Sequence, residues 1–129
     1  MSEAKTLGVA KAYYQAWSTR DLGNVGRYLA DDLKVEVPIN SYSGKADFLE
    51  AVQRTAQHTA SVALLAEFAE GDQAMLLYDM TLPFGRLRVA EHFTISGGKI
   101  HRLRQIHDTV REVRNSYREV RARRGRLMA

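Results

Sequence analysis

Residues 89–108, VAEHFTISGGKIHRLRQIHD, have the pattern of two β-strands joined by the glycine pair at 97–98. Val89, Phe93 and Ile95 alternate along the segment before that pair, as in a strand that buries one face, and Leu103 sets the phase of the segment after it. A Gly-Gly pair between two such runs is typical of a β-hairpin. Glu91 falls in phase with Val89 and Phe93, so the pattern places a carboxylate on the buried face. The segment therefore predicts a sheet with a polar group in its core.

The rest of the chain predicts helices followed by strands. Apolar residues at helical spacing predict four helices, over 4–19, from Asp21 to Leu29, over 45–58 and from 109 onward. Apolar runs predict five strands, at 33–38, 62–70, 73–82, 87–95 and 99–108, with a loop at 39–44. We expect an α+β fold in which three N-terminal helices pack on a curved, mainly antiparallel sheet, plus a C-terminal helix.

The composition is that of one globular domain. The chain has 129 residues, of which 45% are apolar and 26% charged. It contains no cysteine, which excludes disulfides and thiolate chemistry. There is no signal-peptide core and no long apolar run, so we expect a cytoplasmic protein without a membrane segment. Glycine-rich nucleotide loops are absent and the four histidines lie far apart, so neither a cofactor nor a metal is expected.

The positive charge is concentrated at the C-terminus. Residues 109–129 contain seven arginines and two glutamates, a net +5, whereas the whole chain carries +4. We therefore divide the chain into a domain at 1–108 and a basic helical extension at 109–129. The extension lacks a recognisable nucleic-acid motif, and its apolar stripe favours packing against protein. Nucleic acid is thus an alternative partner and not the expected one.

Two segments resemble a known superfamily. AKAYYQAWSTRDLGNVGRYLADDLKVEVP, at 10–38, is similar to the opening of the NTF2-like, or SnoaL-like, proteins, and residues 89–108 resemble their closing hairpin. The resemblance extends over about 5–108 and implies a cone-shaped fold with an apolar interior. This superfamily includes ketosteroid isomerases, polyketide cyclases, epoxide hydrolases, dehydratases and noncatalytic binding modules, so the resemblance does not fix the activity.

Strand parity and helix spacing place one group of side chains inside the cone. The strand at 73–82 is apolar on both faces, which leaves two assignments for Asp79; we include it in the pocket. The candidate catalytic residues are then Glu91, His107 and Asp79. The candidate binding residues are Tyr13, Trp17, Val37, Phe48, Phe93 and Gln105, in a wall completed by Val35, Leu77, Val89 and Leu103.

Each candidate also has a structural interpretation. Glu91 and His107 could pair to close the cone, Asp79 could be solvated, and Tyr13 and Trp17 could be core residues. If the pair is functional, burial raises the pKa of a carboxylate and a nearby imidazolium lowers it. A Glu–His pair could then transfer protons near neutral pH.

The resemblance allows the catalytic residues of three enzyme classes to be compared with this sequence. Tyr13 is similar in position to the oxyanion-hole tyrosine of ketosteroid isomerases, and Glu91 falls near their protonated aspartic acid. Their proton-abstracting aspartate is replaced here by Val37. Epoxide hydrolases of this fold use an arginine and two aspartates. Only one of these three residues, an aspartate, has a counterpart in this chain, namely Asp79. Polyketide cyclases use an acid and a histidine on the sheet, as His107 would provide with Asp79 or Glu91.

These observations predict binding of a small apolar molecule that bears a carbonyl or hydroxyl group. Glu91 and His107 would transfer protons in a cofactor-independent isomerisation, cyclisation or hydration. A noncatalytic ligand-binding or dimerisation module is one alternative, and a nucleic-acid-associated protein acting through the arginine-rich extension is another. We also expect a homodimer through the outer sheet face, which would be supplied by Tyr78, Met80 and His92.

Overall fold

The computed structural model describes residues 2–109, which form an α+β fold. The helices are α1 (Glu3–Ser18), α2 (Leu22–Val25) and α3 (Lys45–His58), and a 3-10 turn at Gly26–Tyr28 follows α2. The strands are β1 (Leu29–Val37), β2 (Asn40–Ser43), β3 (Ser61–Glu70), β4 (Gln73–Leu82), β5 (Gly85–Ser96) and β6 (Lys99–His107). The α+β prediction is confirmed, whereas the predicted C-terminal helix and basic extension lie outside the described residues, apart from Thr109.

The six strands form one curved, mixed sheet in the order β2-β1-β6-β5-β4-β3. Strands β3 to β6 follow one another as antiparallel neighbours, as their short turns predict. Strand β1 pairs in parallel with β6 and antiparallel with β2. After α1 and α2 the chain thus enters the sheet at β1, which lies between the edge strand β2 and the last strand, β6.

Strand β2 corrects the sequence-based prediction of a loop at 39–44. Its four residues pair with the end of β1 from Val37↔Asn40 to Lys34↔Ser43. Ile39 turns the chain with a φ of 74°, in the left-handed region that few β-branched residues adopt. Because β2 is short and mostly exposed, it has no alternating apolar pattern that could have predicted it.

Helices α1 and α3 cover one face of the sheet, which we call the inner face; the opposite side is the outer face. On β4 the buried inner residues are Ala74, Leu76, Tyr78 and Met80. The sequence-based placement of Leu77 in the pocket wall, and of Tyr78 and Met80 on the outer face, is therefore wrong. Parity fails here because both faces of β4 are rich in apolar residues. Among the described residues, no helix is long and apolar enough to cross a membrane.

Two leucine substitutions on β4 test this strand phase. Leu76 is 1% exposed and Leu77 is half-buried on the other face. We expect Leu76→Ala to lower the free energy of unfolding by about 2–5 kcal/mol, because it leaves a cavity in the core. Leu77→Ala should cost roughly half as much, since less apolar surface is lost. Urea denaturation at one protein concentration measures both, and equal losses would contradict the assigned phase.

Candidate functional site

A cavity of about 520 Å³ opens between α1, α3, the β1–β2 turn and the inner face of the sheet. Its deep wall is mostly apolar or aromatic. Tyr13, Trp17 and Tyr78 are nearly fully buried at its floor, whereas Arg54 and His58 are exposed and therefore mark its mouth. Its size and mainly apolar lining are typical of a small-molecule site.

Glu91 lies directly beneath the cavity floor and is completely buried. Its Oε1 accepts a hydrogen bond from the Tyr78 hydroxyl at 3.2 Å, and its Oε2 accepts one from Gln105 Nε2 at 2.5 Å. Both donors line the cavity, whereas Glu91 does not reach its surface. The carboxylate thus lies behind the cavity wall and fixes the orientation of two polar side chains that are part of that wall.

Burial is the main influence on the ionisation of this group. It raises the pKa of Glu91 from 4.5 to about 7, against the opposing effect of the hydrogen bonds from Gln105 and Tyr78. Burial, and then the charge of Glu91, raise the pKa values of Tyr13 and Tyr78 well above the ordinary tyrosine value. Near neutral pH the two phenols therefore stay protonated as donors, while Glu91 exchanges between its charged and neutral forms.

Aromatic rings form most of the remaining floor and wall. The Tyr13 ring stacks on Phe48 with centroids 6.5 Å apart and meets Phe93 edge-on at 5.8 Å. Trp17 packs against Tyr78 with centroids 5.8 Å apart. Tyr13, Trp17 and Phe48 line the cavity, as do the predicted binding residues Val37 and Gln105. Phe93 lies one layer deeper, fully buried beneath Tyr13.

His107 also lines the cavity, at the end of β6. It pairs across the sheet with Val89, while Gln105 pairs with Glu91. Since alternate residues of a strand share a face, His107 and Gln105 lie on the same side of β6. Glu91, opposite Gln105 on β5, lies on that side as well. The His107 ring Nδ1 lies 3.1 Å from the carbonyl oxygen of Asp108. The histidine is thus a cavity residue, whereas the carboxylate is covered.

The placement of Asp79 in the pocket is corrected by the structure. Asp79 lies on the outer face of β4, where it receives two hydrogen bonds from Arg88, at 2.8 and 3.0 Å. Arg86 lies 3.8 Å from the same carboxylate. The hydrogen bond from Arg88 lowers the pKa of Asp79, which keeps this residue charged. Its position is explained by a cross-strand ion pair and leaves it no access to the cavity.

Several polar residues of the site were not identified from the sequence. Arg54, Thr55 and His58 of α3 line the cavity, together with Asn40 and Tyr42 of β2. The spacing of Arg54 and His58 puts them one turn apart on a helix. No sequence signal shows that this side of α3 faces a cavity. Within residues 2–109, no group of three or more His, Asp or Glu side chains could hold a metal ion.

The perturbed carboxylate predicts a specific pH dependence of stability. Because the pKa of Glu91 is about 7 in the folded protein and 4.5 ordinarily, its protonated form favours folding. Its contribution is complete below about pH 4.5 and is lost as the pH rises through 7. We expect the wild type to lose about 2–3 kcal/mol more than Glu91→Gln between pH 5 and 8. Urea denaturation across this range measures the difference.

Glu91→Gln keeps the shape of the side chain, and rotation of the Gln105 amide can restore a hydrogen bond to it. Glu36→Gln is the matched control, since Glu36 is exposed and a hydrogen bond from Arg102 lowers its pKa. Its stability profile between pH 5 and 8 should follow that of the wild type. Parallel profiles for the wild type and Glu91→Gln would show that Glu91 has an ordinary pKa.

Comparisons with known proteins agree with this architecture. The model of the SnoaL-like domain matches residues 10–103. A crystal structure of a protein from Kribbella flavida has a TM-score of 0.80 and 28% identity, and the match covers 88% of this chain and 96% of that one. The comparison with curated protein sequences gives no match.

Two further solved structures share the fold at lower identity. A Kribbella flavida protein described as a candidate ketosteroid isomerase has a TM-score of 0.72 and 22% identity, covering 82% of this chain and 79% of its own. An epoxide hydrolase from M. tuberculosis has a TM-score of 0.70 and 18% identity, covering 83% and 85%. The architecture of the sheet, the cavity beneath its helices and the extent of the family match lead to one conclusion: the chain belongs to the SnoaL-like domain family, within the NTF2-like fold.

Proposed function

We propose that this protein binds a small, largely apolar molecule that carries a carbonyl or hydroxyl group. The observation that carries the proposal is the cavity floor, where Tyr78 and Gln105 are held by the buried Glu91. Aromatic and aliphatic walls favour an apolar body, and the oriented polar groups favour one oxygen at its inner end. The Trp17 indole N–H, buried beside them, has no hydrogen-bond partner among the described residues, which also favours a polar ligand group nearby.

We also propose that the cavity supports proton transfer, in a cofactor-independent isomerisation, cyclisation or hydration. His107 faces the cavity and can exchange a proton directly with a bound molecule. Glu91 is covered, so its part is to accept the Tyr78 O–H, which leaves the phenol oxygen as an acceptor toward the cavity, and to gain or lose a proton near neutral pH. The shared fold with proteins described as a candidate ketosteroid isomerase and an epoxide hydrolase is compatible with this chemistry.

Binding of 2-naphthol, compared with naphthalene, tests the proposed ligand site. The two molecules share an apolar body and differ by one hydroxyl group. We expect 2-naphthol to bind about fivefold more tightly, because one hydrogen bond contributes about 1 kcal/mol. Calorimetry gives the affinities. The indole N–H resonance of Trp17 reports the location, since the chain has one tryptophan.

Two substitutions on α3 provide the matched control. Ala51→Phe adds a ring at a residue that lines the cavity, whereas Gln53→Phe adds the same ring at an exposed position outside the lining. Ala51→Phe should abolish binding of 2-naphthol, and Gln53→Phe should leave it unchanged. The proposal fails if the wild type binds neither naphthalene nor 2-naphthol, or if both variants bind alike.

The outer face supports a second proposal, a homodimer. Leu77, Ala90 and Ile106 lie in one row across β4, β5 and β6, and Ile106 is 70% exposed. Ion pairs flank this row, between Asp79 and Arg88 and between Glu36 and Arg102. An apolar centre with charges of both signs around it can complement a second copy of itself, as a two-fold interface requires. The corrected outer face is the surface that we propose for this contact.

Ile106→Glu tests the dimer, and Ile39→Glu is its control. The two isoleucines are 70% and 72% exposed, but Ile39 lies in the β1–β2 turn and not in the row. We expect the wild type and Ile39→Glu to sediment as dimers and Ile106→Glu as a monomer, because the dimer would bury the new charge without a partner. A monomeric wild type at micromolar concentration, in analytical ultracentrifugation, would exclude the dimer.

A further inference from the structure

The mouth of the cavity differs in charge from its floor. Arg54 and His58 lie one turn apart on the side of α3 that lines the cavity, and His107 lies on its sheet side. Among the described residues that line the cavity, none is an aspartate or a glutamate. Apart from the tyrosines, the ionisable lining groups are Arg54, His58 and His107, each of which is a cation when charged. The mouth therefore attracts anions and does not attract cations.

Arg54 is available to a ligand. Within the described part of the chain it forms no salt bridge and no side-chain hydrogen bond, whereas Arg88 and Arg102 are each held by a carboxylate. An arginine fork binds a carboxylate through two parallel hydrogen bonds, which makes it a selective partner for that group. Arg54 thus has both the geometry and the freedom to bind an anionic ligand group.

The helix dipole does not cancel this attraction. The C-terminal end of α3 lies beside His58, and its exposed carbonyl groups would disfavour an anion there. Arg20 covers this end of the helix: its Nε donates to the Ala56 carbonyl oxygen at 3.2 Å, and its Nη2 donates to that of Thr59 at 3.0 Å. The negative end of α3 is thus neutralised by another residue, which leaves Arg54 and His58 to set the charge of the mouth.

We propose that the natural ligand is an amphipathic acid. Its hydroxyl or carbonyl group lies at the floor near Tyr78 and Gln105, its apolar body fills the aromatic cavity, and its carboxylate binds Arg54 at the mouth, with His58 alongside. This inference rests on the proposed function and narrows its substrate class to molecules with an oxygen at one end and a carboxylate at the other. The polarity of the cavity fixes which end enters first.

Three ligands with the same ring system test this inference: 2-naphthol, 6-hydroxy-2-naphthoate and the methyl ester of that acid. In the last two the hydroxyl lies at the opposite end of the rings from the carboxylate or ester. We expect the acid to bind about tenfold more tightly than the ester, which corresponds to about 1.4 kcal/mol and is in the range of a charge-assisted hydrogen bond. Calorimetry at neutral pH measures all three affinities.

Arg54→Gln and Arg27→Gln identify the group responsible. Both remove one exposed positive charge, but Arg27 does not line the cavity. Arg54→Gln should bind acid and ester equally and keep its affinity for 2-naphthol, which shows that the cavity is intact. Arg27→Gln should keep the preference of the wild type.

The outcomes separate the inference from the function on which it rests. If 2-naphthol binds but the acid binds no more tightly than the ester, the anionic substrate class is wrong and the ligand site stands. If Arg54→Gln keeps the full preference for the acid, Arg54 is not its partner and the inference is overturned. If none of the three ligands binds the wild type, the proposed function fails and the inference fails with it.

Discussion

The site depends on the burial of one carboxylate. Glu91 has no exposed surface, and a buried acid is stable only if it is protonated or receives hydrogen bonds. Here both conditions contribute, because Tyr78 and Gln105 donate to it and its pKa rises to about 7. The donors belong to β4 and β6, on either side of β5, so the three strands must keep one register for the acid to be satisfied. A slip of one residue would turn one of these side chains to the outer face.

This constraint explains where the sequence was informative and where it was not. On β5 the apolar residues Val89, Phe93 and Ile95 alternate, and on β6 the buried Leu103 sets the phase. The structure places Glu91, Gln105 and His107 on the inner face, as this phase predicts. On β4 both sets of alternate residues are apolar, so parity could not decide which set faces the core. The hairpin register would have helped: the turn after Leu82 places Asp79 opposite Arg88, and a cross-strand pair of opposite charges favours the exposed face.

Other features depend on tertiary contacts that no local pattern encodes. The helical spacing at 45–58 gives the bounds of α3, but Arg54 and His58 have the composition of a solvated helix surface. Only the position of α3 over the sheet turns that surface toward the cavity. The same holds for β2, whose residues pair with β1 although their sequence has the composition of a loop. The predicted extension at 109–129 stays a prediction, since all but its first residue lie beyond the described residues.

The depth of each polar group decides what it can do. Beneath the floor, Glu91 has no exposed surface, so its charge must be compensated by the protein. It accepts hydrogen bonds from Tyr78 and Gln105 and does not reach the cavity itself. At the mouth, Arg54 is exposed and has no salt-bridge partner among residues 2–109. The cavity thus has a hydrogen-bonding inner end and a cationic outer end, with aromatic rings between them. Its polarity changes along the axis from floor to mouth. A ligand that matches both ends binds in one orientation, and a fixed orientation relative to His107 is what a proton-transfer reaction at that residue requires.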